Sequence, residues 1–569
     1  MSDRVRFTCN GAPVDVDAAP GESLLTVLRE RLGLVSVKDG CAPQGQCGCC
    51  TVLVDGDARV ACVTPVARVA DRRVTTVEGL DERVREELAQ AFANAGGSQC
   101  GFCTPGIVMR AAALMTKGRT GPADVDRALA AHLCRCTGWL TVKEAIADAG
   151  TPTRPRDLDA ASRRARLEGG NRQRVGVDVP LGDGGFADDL APRDALVAVP
   201  RPPGSPVAVA EAAGIGWVVA ESLAEARDLA GKVQGRRTTR DEAPALPLPD
   251  RPTGGVRVAT GWVEPAYLEP DASWCLPDGE PASPLANGGA FGGKVSSAAP
   301  AAARELADRL GRPVRVLLSR EDTVRLGPKR PPIAASAVFH DRAVEIDGTL
   351  VGDPAWMDAP RSPYALELRH GWHAAGVPGP PTSPALRAFP LAELTLLVEG
   401  ALAESGTDRG ELVADERASG VLLDSCATAV GGATAGARVT IDPTTGAIER
   451  VEVRVAAGDP LDDTVLRSYC IGGAHMALGW VLSEGIAVDA QTGDALDLTI
   501  RSFGVIRAKD TPPIEVTIVD DPGEPLPRAS DAVFASVAAA TWNAVTEADG
   551  DRPETFPARR SRAARRLRR

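Results

Sequence analysis

Eight cysteines among the first 150 residues have the spacing of metal ligands. They read Cys41-APQGQ-Cys47-GC-Cys50, then Cys62, then Cys100-GF-Cys103, then Cys134-R-Cys136. Two groups of four thiols is the count for two [2Fe–2S] clusters, each held by four thiolates. Cys41, Cys47, Cys50 and Cys62 follow the plant-type ferredoxin order, a tight run of three and a later fourth. That order places four residues between its first two ligands, whereas here there are five. Cys49 adjoins Cys50, so either could be the third ligand. Gly40, Gly45 and Gly48 let backbone wrap closely round a compact cluster and aim amide hydrogens at its sulfurs. Cys100, Cys103, Cys134 and Cys136 form a second set, paired two and two. Four-cysteine zinc sites usually show two Cys-x-x-Cys pairs, which Cys134-R-Cys136 does not match. Disulfides belong to oxidising compartments, and nothing here marks a secreted chain.

A metal loop needs a rigid frame. Residues 4–18 and 50–62 alternate apolar and polar, as half-buried strands do. Leu24, Leu25, Leu28 and Leu32 recur at helical spacing, and Gly33 closes that helix. Over 80–150 the period changes. Val84, Leu88, Ala91, Phe92 and Ala95 predict one amphipathic helix, stopped by Gly96 and Gly97. Ile107, Ala111, Leu114 and Met115 predict another, and 125–133 and 142–149 two more. Both cysteine pairs then fall at helix ends, where positive N-terminal dipoles would help to hold an anionic cluster.

The whole chain has 569 residues and a net charge of −12. Its length predicts three or four domains, and its charge argues against nucleic acid as a partner. Hydrophobic residues make up 44% and charged residues 25%, ordinary for a globular protein. The segment MSDRVRFTCNG shows no secretion signal, and no apolar run is long enough to span a membrane. Thirteen cysteines suit a reducing compartment, so the cytoplasm is expected. Residues 153–175 are polar and arginine-rich, as a linker would be. The arginine-rich end, 558–569, reads as a solvated basic tail.

The motifs SQCGFCTPG (98–106), LCRCTGW (133–139) and GCAPQGQCGCCTVLVDG (40–56) resemble the iron–sulfur region of the xanthine dehydrogenase/aldehyde oxidoreductase family, the molybdenum hydroxylases. The resemblance implies a β-grasp ferredoxin domain, then a small helical bundle carrying the second cluster. It also implies that Gln99 and the loop of Cys136 lie against the pterin of a molybdenum cofactor. No flavin domain follows the linker. GGFADDL (184–190), ESLAEARDLAGKV (221–233) and AYLEP (266–270) look like fragments of the family's first molybdenum-domain module. NGGAFGGK (287–294) resembles the loop over the molybdenum site, so Gly289, Phe291 and Gly292 are the implied cofactor contacts. Ala290 stands where a third glycine is usual. Val295 follows Lys294 where purine-oxidising relatives carry Glu, which points toward a less polar substrate.

SPALRAFPLAEL (383–394) looks like the family's substrate-arginine segment. Arg387 would orient substrate and steady developing negative charge. Pro390 and Leu391 replace the usual glycine and glutamine. GARVTIDPTTGAIERVEVRVA (436–456) reads as a hairpin turning at Asp442–Gly446. IGGAHMALGWVLSEG (471–485) resembles a glycine-rich helix start beside the cofactor. PGEPLPRASDAVFASVAAATWNAV (522–545) resembles the terminal helix and its catalytic glutamate, which would be Glu524, the base acting on a metal-bound hydroxyl.

The expected fold is α+β and multidomain: a β-grasp ferredoxin over 1–78, a helical cluster domain over 79–152, a linker over 153–175, a hammerhead remnant over 176–260, a shortened molybdopterin-binding region over 261–557 and a tail over 558–569. Two functions follow. The first is a molybdopterin-dependent oxidoreductase that hydroxylates an aldehyde or N-heterocycle and passes electrons through two [2Fe–2S] clusters. The second is an electron-transfer or scaffold subunit whose trimmed half binds no cofactor. Expected partners are a redox protein or a separate flavin or molybdenum subunit, in an oligomer.

Overall fold

The computed structural model describes residues 3–152, 155–231, 244–358 and 362–567. The alternating N-terminal stretch forms strands Asp3–Cys9 (β1) and Ala12–Ala18 (β2), paired antiparallel from Asp3↔Ala18 to Cys9↔Ala12. Asn10 and Gly11 turn between them at φ +50° and +83°, the left-handed pair that a two-residue hairpin requires. Thr51–Val54 (β3), Asp57–Val60 (β4) and Arg73–Thr75 (β5) complete a sheet ordered β2-β1-β5-β3-β4. Val5, Phe7 and Cys9 face Leu24, Leu25, Val27 and Leu28 in one core. The helix expected over 24–32 is a single turn, Leu24–Thr26, that widens into a π-helix, Val27–Arg31. Residues 40–50 are left as a loop lying under this frame.

Four helices follow: Glu82–Ala95 (α1), Thr104–Thr116 (α2), Pro122–Leu129 (α3) and Leu140–Ala147 (α4). The Asp81 side chain accepts from Val84 N, and Gly96 caps the other end of α1 at φ +66°. Cys103 is the N-cap residue of α2. Trp139 enters α4 at φ +72°, fully buried, with its indole donating to Ile506 O at 3.2 Å.

The expected linker is corrected. Its residues 153 and 154 lie outside the described residues, but Leu158–Gly169 is a helix (α5). Ala161 and Ala165 pack on Val465 and Tyr469. The arginines misled because one of them is internal. Arg164 is fully buried, pairs with Glu168 and donates to Leu526 O at 2.8 Å.

The boundary expected at 260 also falls inside structure. Strands Leu196–Pro200, Ala210–Ala212 and Ile215–Ala220 share a five-stranded sheet with Ala272–Cys275 and Val314–Leu317, backed by helix Ala299–Leu310 (α6). Gly255–Thr260 instead joins a third sheet with strands from 333–374. The largest core packs helices Leu391–Ser405 (α7), Asp463–Leu482 (α8) and Ala529–Asp549 (α9) against this third sheet and a four-stranded sheet spanning 425–518. The hairpin expected over 436–456 is two of its strands, Thr434–Ile441 and Ile448–Ala456. The glycine-rich stretch at 471 does not start a helix; it lies in the middle of α8, whose N-cap is Asp462. Nor is the basic end a free tail. Arg562–Leu567 (α10) buries Ala563 and Ala564, while Asp549 accepts from Arg562 N. No helix among the described residues is long and apolar enough to cross a membrane.

Candidate metal centres and the adjoining cavity

All thirteen cysteines are free and buried. The eight singled out meet in pairs. Cys41 lies against Cys47 and Cys50 against Cys62, each near enough to raise its neighbour's thiol or be raised by it. In the second set Cys103 pairs with Cys134, and Cys136 Sγ lies 3.5 Å from Cys100 Sγ. Each pair also feels the other pair of its own set: Cys41 interacts with Cys62, Cys50 with Cys47, Cys103 with Cys100 and Cys136 with Cys134. The thiols thus form two quartets. Among the described residues, no three His, Cys, Asp or Glu side chains converge on one point as a single-ion site needs.

Backbone and hydroxyl donors already aim at these sulfurs. Gln46 N and Cys47 N reach Cys41 Sγ at 3.4 and 3.3 Å, and Cys62 N reaches Cys50 Sγ at 3.4 Å. Thr137 Oγ1 lies 3.1 Å from Cys134 Sγ. The hydrogen bond from Cys103, with help from Thr137, pulls the Cys134 thiol down to about 6 against its burial. Such donors favour the thiolate, the form that binds metal, while neighbouring thiols and burial hold Cys41, Cys50 and Cys103 well up.

The two quartets are close. Cys47 O accepts from Leu133 N at 2.9 Å, one residue before Cys134. A Cβ on Gly106 of α2 would sit 2.3 Å from Gly48 O, so only glycine lets α2 lie on the first loop.

The second quartet adjoins the C-terminal half. Arg135, between Cys134 and Cys136, donates to both Glu484 oxygens at 2.6 and 2.7 Å and to Pro265 O at 2.9 Å. Asn287 Nδ2 donates to Cys100 O at 3.2 Å. Sequence reasoning passed over Arg135, Glu484 and Asn287. A charged residue locked between two ligands was the available signal for Arg135; nothing local marks the other two.

The implied pterin face is closed. Gln99 Nε2 donates to Cys136 O and Ser468 O at 3.1 Å and to Ser468 Oγ at 3.0 Å. A Cβ on Gly472 of α8 would lie 1.9 Å from Cys136 O. One on Gly289 would lie 2.9 Å from Cys100 Sγ. The glycine loop therefore rests on the second quartet itself. Cavities beside it measure about 90, 30 and 10 Å³, against about 300 Å³ at the lower end for a site holding a small organic molecule. With the side chains as they stand, none of these three cavities is large enough for a molybdopterin.

Arg387, Phe291, Gly289 and Gly292 do come together, all lining the 90 Å³ cavity. Arg387 is buried, its guanidinium stacks 5.2 Å from the Phe291 ring, and its Nε lies 3.4 Å from Asp531. Burial raises the Asp531 carboxyl, with Arg387 opposing. Glu524 does not join them. It is exposed on the turn before α9 and lines none of these cavities.

Comparison with known proteins agrees with the two cysteine sets and adds a molybdopterin-binding match in the C-terminal half. Residues 7–67 match the model of the 2Fe-2S iron-sulfur cluster binding domain, 76–147 that of the [2Fe-2S] binding domain, and 407–512 that of the molybdopterin cofactor-binding domain. The xanthine dehydrogenase iron-sulfur-binding subunit of Escherichia coli O157:H7 is 41% identical over 148 residues, which is 25% of this chain and 92% of that subunit. The aldehyde oxidoreductase of Megalodesulfovibrio gigas is also 41% identical over 148 residues, 25% of this chain and 16% of its own length. The solved aldehyde oxidoreductase from Desulfovibrio gigas shares the fold, with a TM-score of 0.75, 17% identity and 100% of each chain covered. These relatives are molybdenum-hydroxylase enzymes or their subunits, and the mixed α/β multidomain architecture is theirs. The chain belongs to the xanthine dehydrogenase/aldehyde oxidoreductase family of molybdenum hydroxylases, as an oxidoreductase with two [2Fe–2S]-binding domains.

Proposed function

We propose that this chain conducts electrons through two [2Fe–2S] clusters in a molybdenum-hydroxylase-type reaction, and that its own C-terminal half does not enclose the pterin. The pairing of the sulfurs carries this reading, because a [2Fe–2S] centre takes two thiolates on each iron. Cys41 with Cys47, and Cys50 with Cys62, would hold the first cluster. Cys100 with Cys136, and Cys103 with Cys134, would hold the second. Cys50 is the third ligand in preference to Cys49, since it is the thiol that pairs with Cys62. Each cluster, when bound, supplies storage for one electron. The chain keeps water from the sulfurs by burying all eight cysteines. It aims Gln46 N, Cys47 N, Cys62 N and Thr137 Oγ1 at them, and ties the two sites together through Cys47 O and Leu133 N.

On this reading an aldehyde or N-heterocycle is oxidised on a separate molybdenum subunit, and electrons leave to a redox partner or flavin protein. On the same reading no flavin domain stands among the described residues, the molybdenum half is shortened, and the chain works as part of an oligomer in the cytoplasm. The closed Gln99–Cys136 face and exposed Glu524 support that division. A second reading, hydroxylation within this chain with Arg387 orienting the substrate, draws on the match over 407–512 and on the cavity shared by Phe291 and Arg387.

Metal analysis separates the two. Protein purified from cells that make the molybdenum cofactor is expected to hold about four irons, two per cluster, and essentially no molybdenum. A molybdenum content near that of the chain would favour the second reading. Colourless, iron-free protein would remove both.

A further inference from the structure

Cys49 is a fifth thiol at the first site, and the ligand sets leave it over. It is 0% exposed. A Cβ on Gly40 would lie 3.1 Å from Cys47 Sγ and 3.3 Å from Cys49 Sγ, so both sulfurs close on the same backbone atom. The two thiols are near enough to interact. Cys49 is also near enough to the second set to act on Cys103 electrostatically. Its backbone has no freedom to swing away, because a Cβ on Gly106 of α2 would meet Cys49 O at 2.8 Å. The sulfur is therefore held on the side of the first quartet that faces the second.

We propose that Cys49 is a positioning thiol that donates its S–H to Cys47 Sγ and so raises the reduction potential of the first cluster. This rests on the reading that Cys47 is a ligand. A metal-bound Cys47 is a thiolate and only accepts, which leaves Cys49 as the donor. Reduction adds negative charge to the cluster and its sulfurs. A donated hydrogen bond steadies that charge, which favours the reduced form. The first cluster then draws electrons toward itself when the two centres share one.

The test is a redox titration of the full chain followed by electron paramagnetic resonance, with the second cluster as internal reference. In Cys49→Ala the first midpoint is expected to move to more negative values, shifting electron sharing between the clusters by about two- to tenfold, the worth of one modest hydrogen bond. Cys49→Val keeps most of the volume and loses the donor, so it repeats the test should the Ala variant fold poorly. Cys49→Ser restores a donor and is expected to bring the midpoint back toward the parent value. A merely structural role would give no such rescue. An unchanged first midpoint in both Ala and Val variants would overturn the proposal. Loss of the first signal in those variants, with the second intact, would overturn it differently by making Cys49 a ligand. Absence of both signals from the parent protein would instead sink the cluster reading beneath it.

Discussion

The contact between Arg135 and Glu484 makes the sharpest mechanical prediction. Arg135 is 6% exposed and Glu484 is 2% exposed. The guanidinium has three acceptors, two of them on Glu484. Glu484→Ala leaves a buried cation with Pro265 O alone. Breaking one side of a buried pair costs about 3–5 kcal/mol, because the remaining charge keeps its desolvation penalty. That is a large fraction of the roughly 5–15 kcal/mol that holds a typical domain together. The loss falls on the loop carrying Cys134 and Cys136, so the second cluster is expected to fail first. Denaturant titration followed by the paramagnetic resonance of each cluster separates the two: the second signal disappears at lower denaturant in Glu484→Ala, and the first moves less. Replacing both partners, Arg135→Met with Glu484→Leu, is expected to recover most of the loss, since neither charge is then stranded. A cost below about 1 kcal/mol, the level of an exposed pair, or equal loss of both signals, would refute the reasoning.

Three further substitutions probe packing and charge, two of them beside the second quartet. Gly472→Ala drives a Cβ to 1.9 Å from Cys136 O, so α8 or the loop must shift. The expected destabilisation is about 1–3 kcal/mol, the usual cost of overpacking. Gly420→Ala, which meets nothing within 4 Å in helix Glu416–Val421, is expected instead to stabilise by about 0.5–1 kcal/mol; equal thermal midpoints for the two variants would contradict this. Burial lifts the Glu269 carboxyl from 4.5 to about 7, outweighing Lys294 at 2.8 Å. The folded chain then holds that proton more tightly than the unfolded one. Its contribution to stability is full below pH 4.5 and is lost as pH rises through about 7. Glu269→Gln is expected to flatten this part of the stability profile, and an unchanged slope would show that Glu269 is not its source.

Much of the N-terminal part was legible because its signals are local. The alternation over 4–18, the Gly96 stop of α1 and the cysteine spacings are all set within a few tens of residues. Which thiols pair was less visible, since Cys100 meets Cys136 across 36 positions. The linker misled because an arginine reads as solvent-facing until its partner is known. Arg164 finds Glu168 four residues on, and Glu168 accepts from Ser530 N at 2.8 Å across the fold. Likewise Gly472 and Gly473 read as a helix start, but they are mid-helix glycines that let Cys136 O and Ser530 O approach α8.

The number and type of the candidate sulfur ligands are legible in the sequence, because thiolate chemistry belongs to the residue and the spacing is short; the choice between Cys49 and Cys50 is not. Where Gln99, Arg387 and Glu524 lie relative to the second quartet was decided only by tertiary structure. Burial, cavity size and the reach of one segment onto another depend on contacts between residues hundreds of positions apart. In this chain those contacts fill the space beside Cys136 and leave Glu524 in solvent.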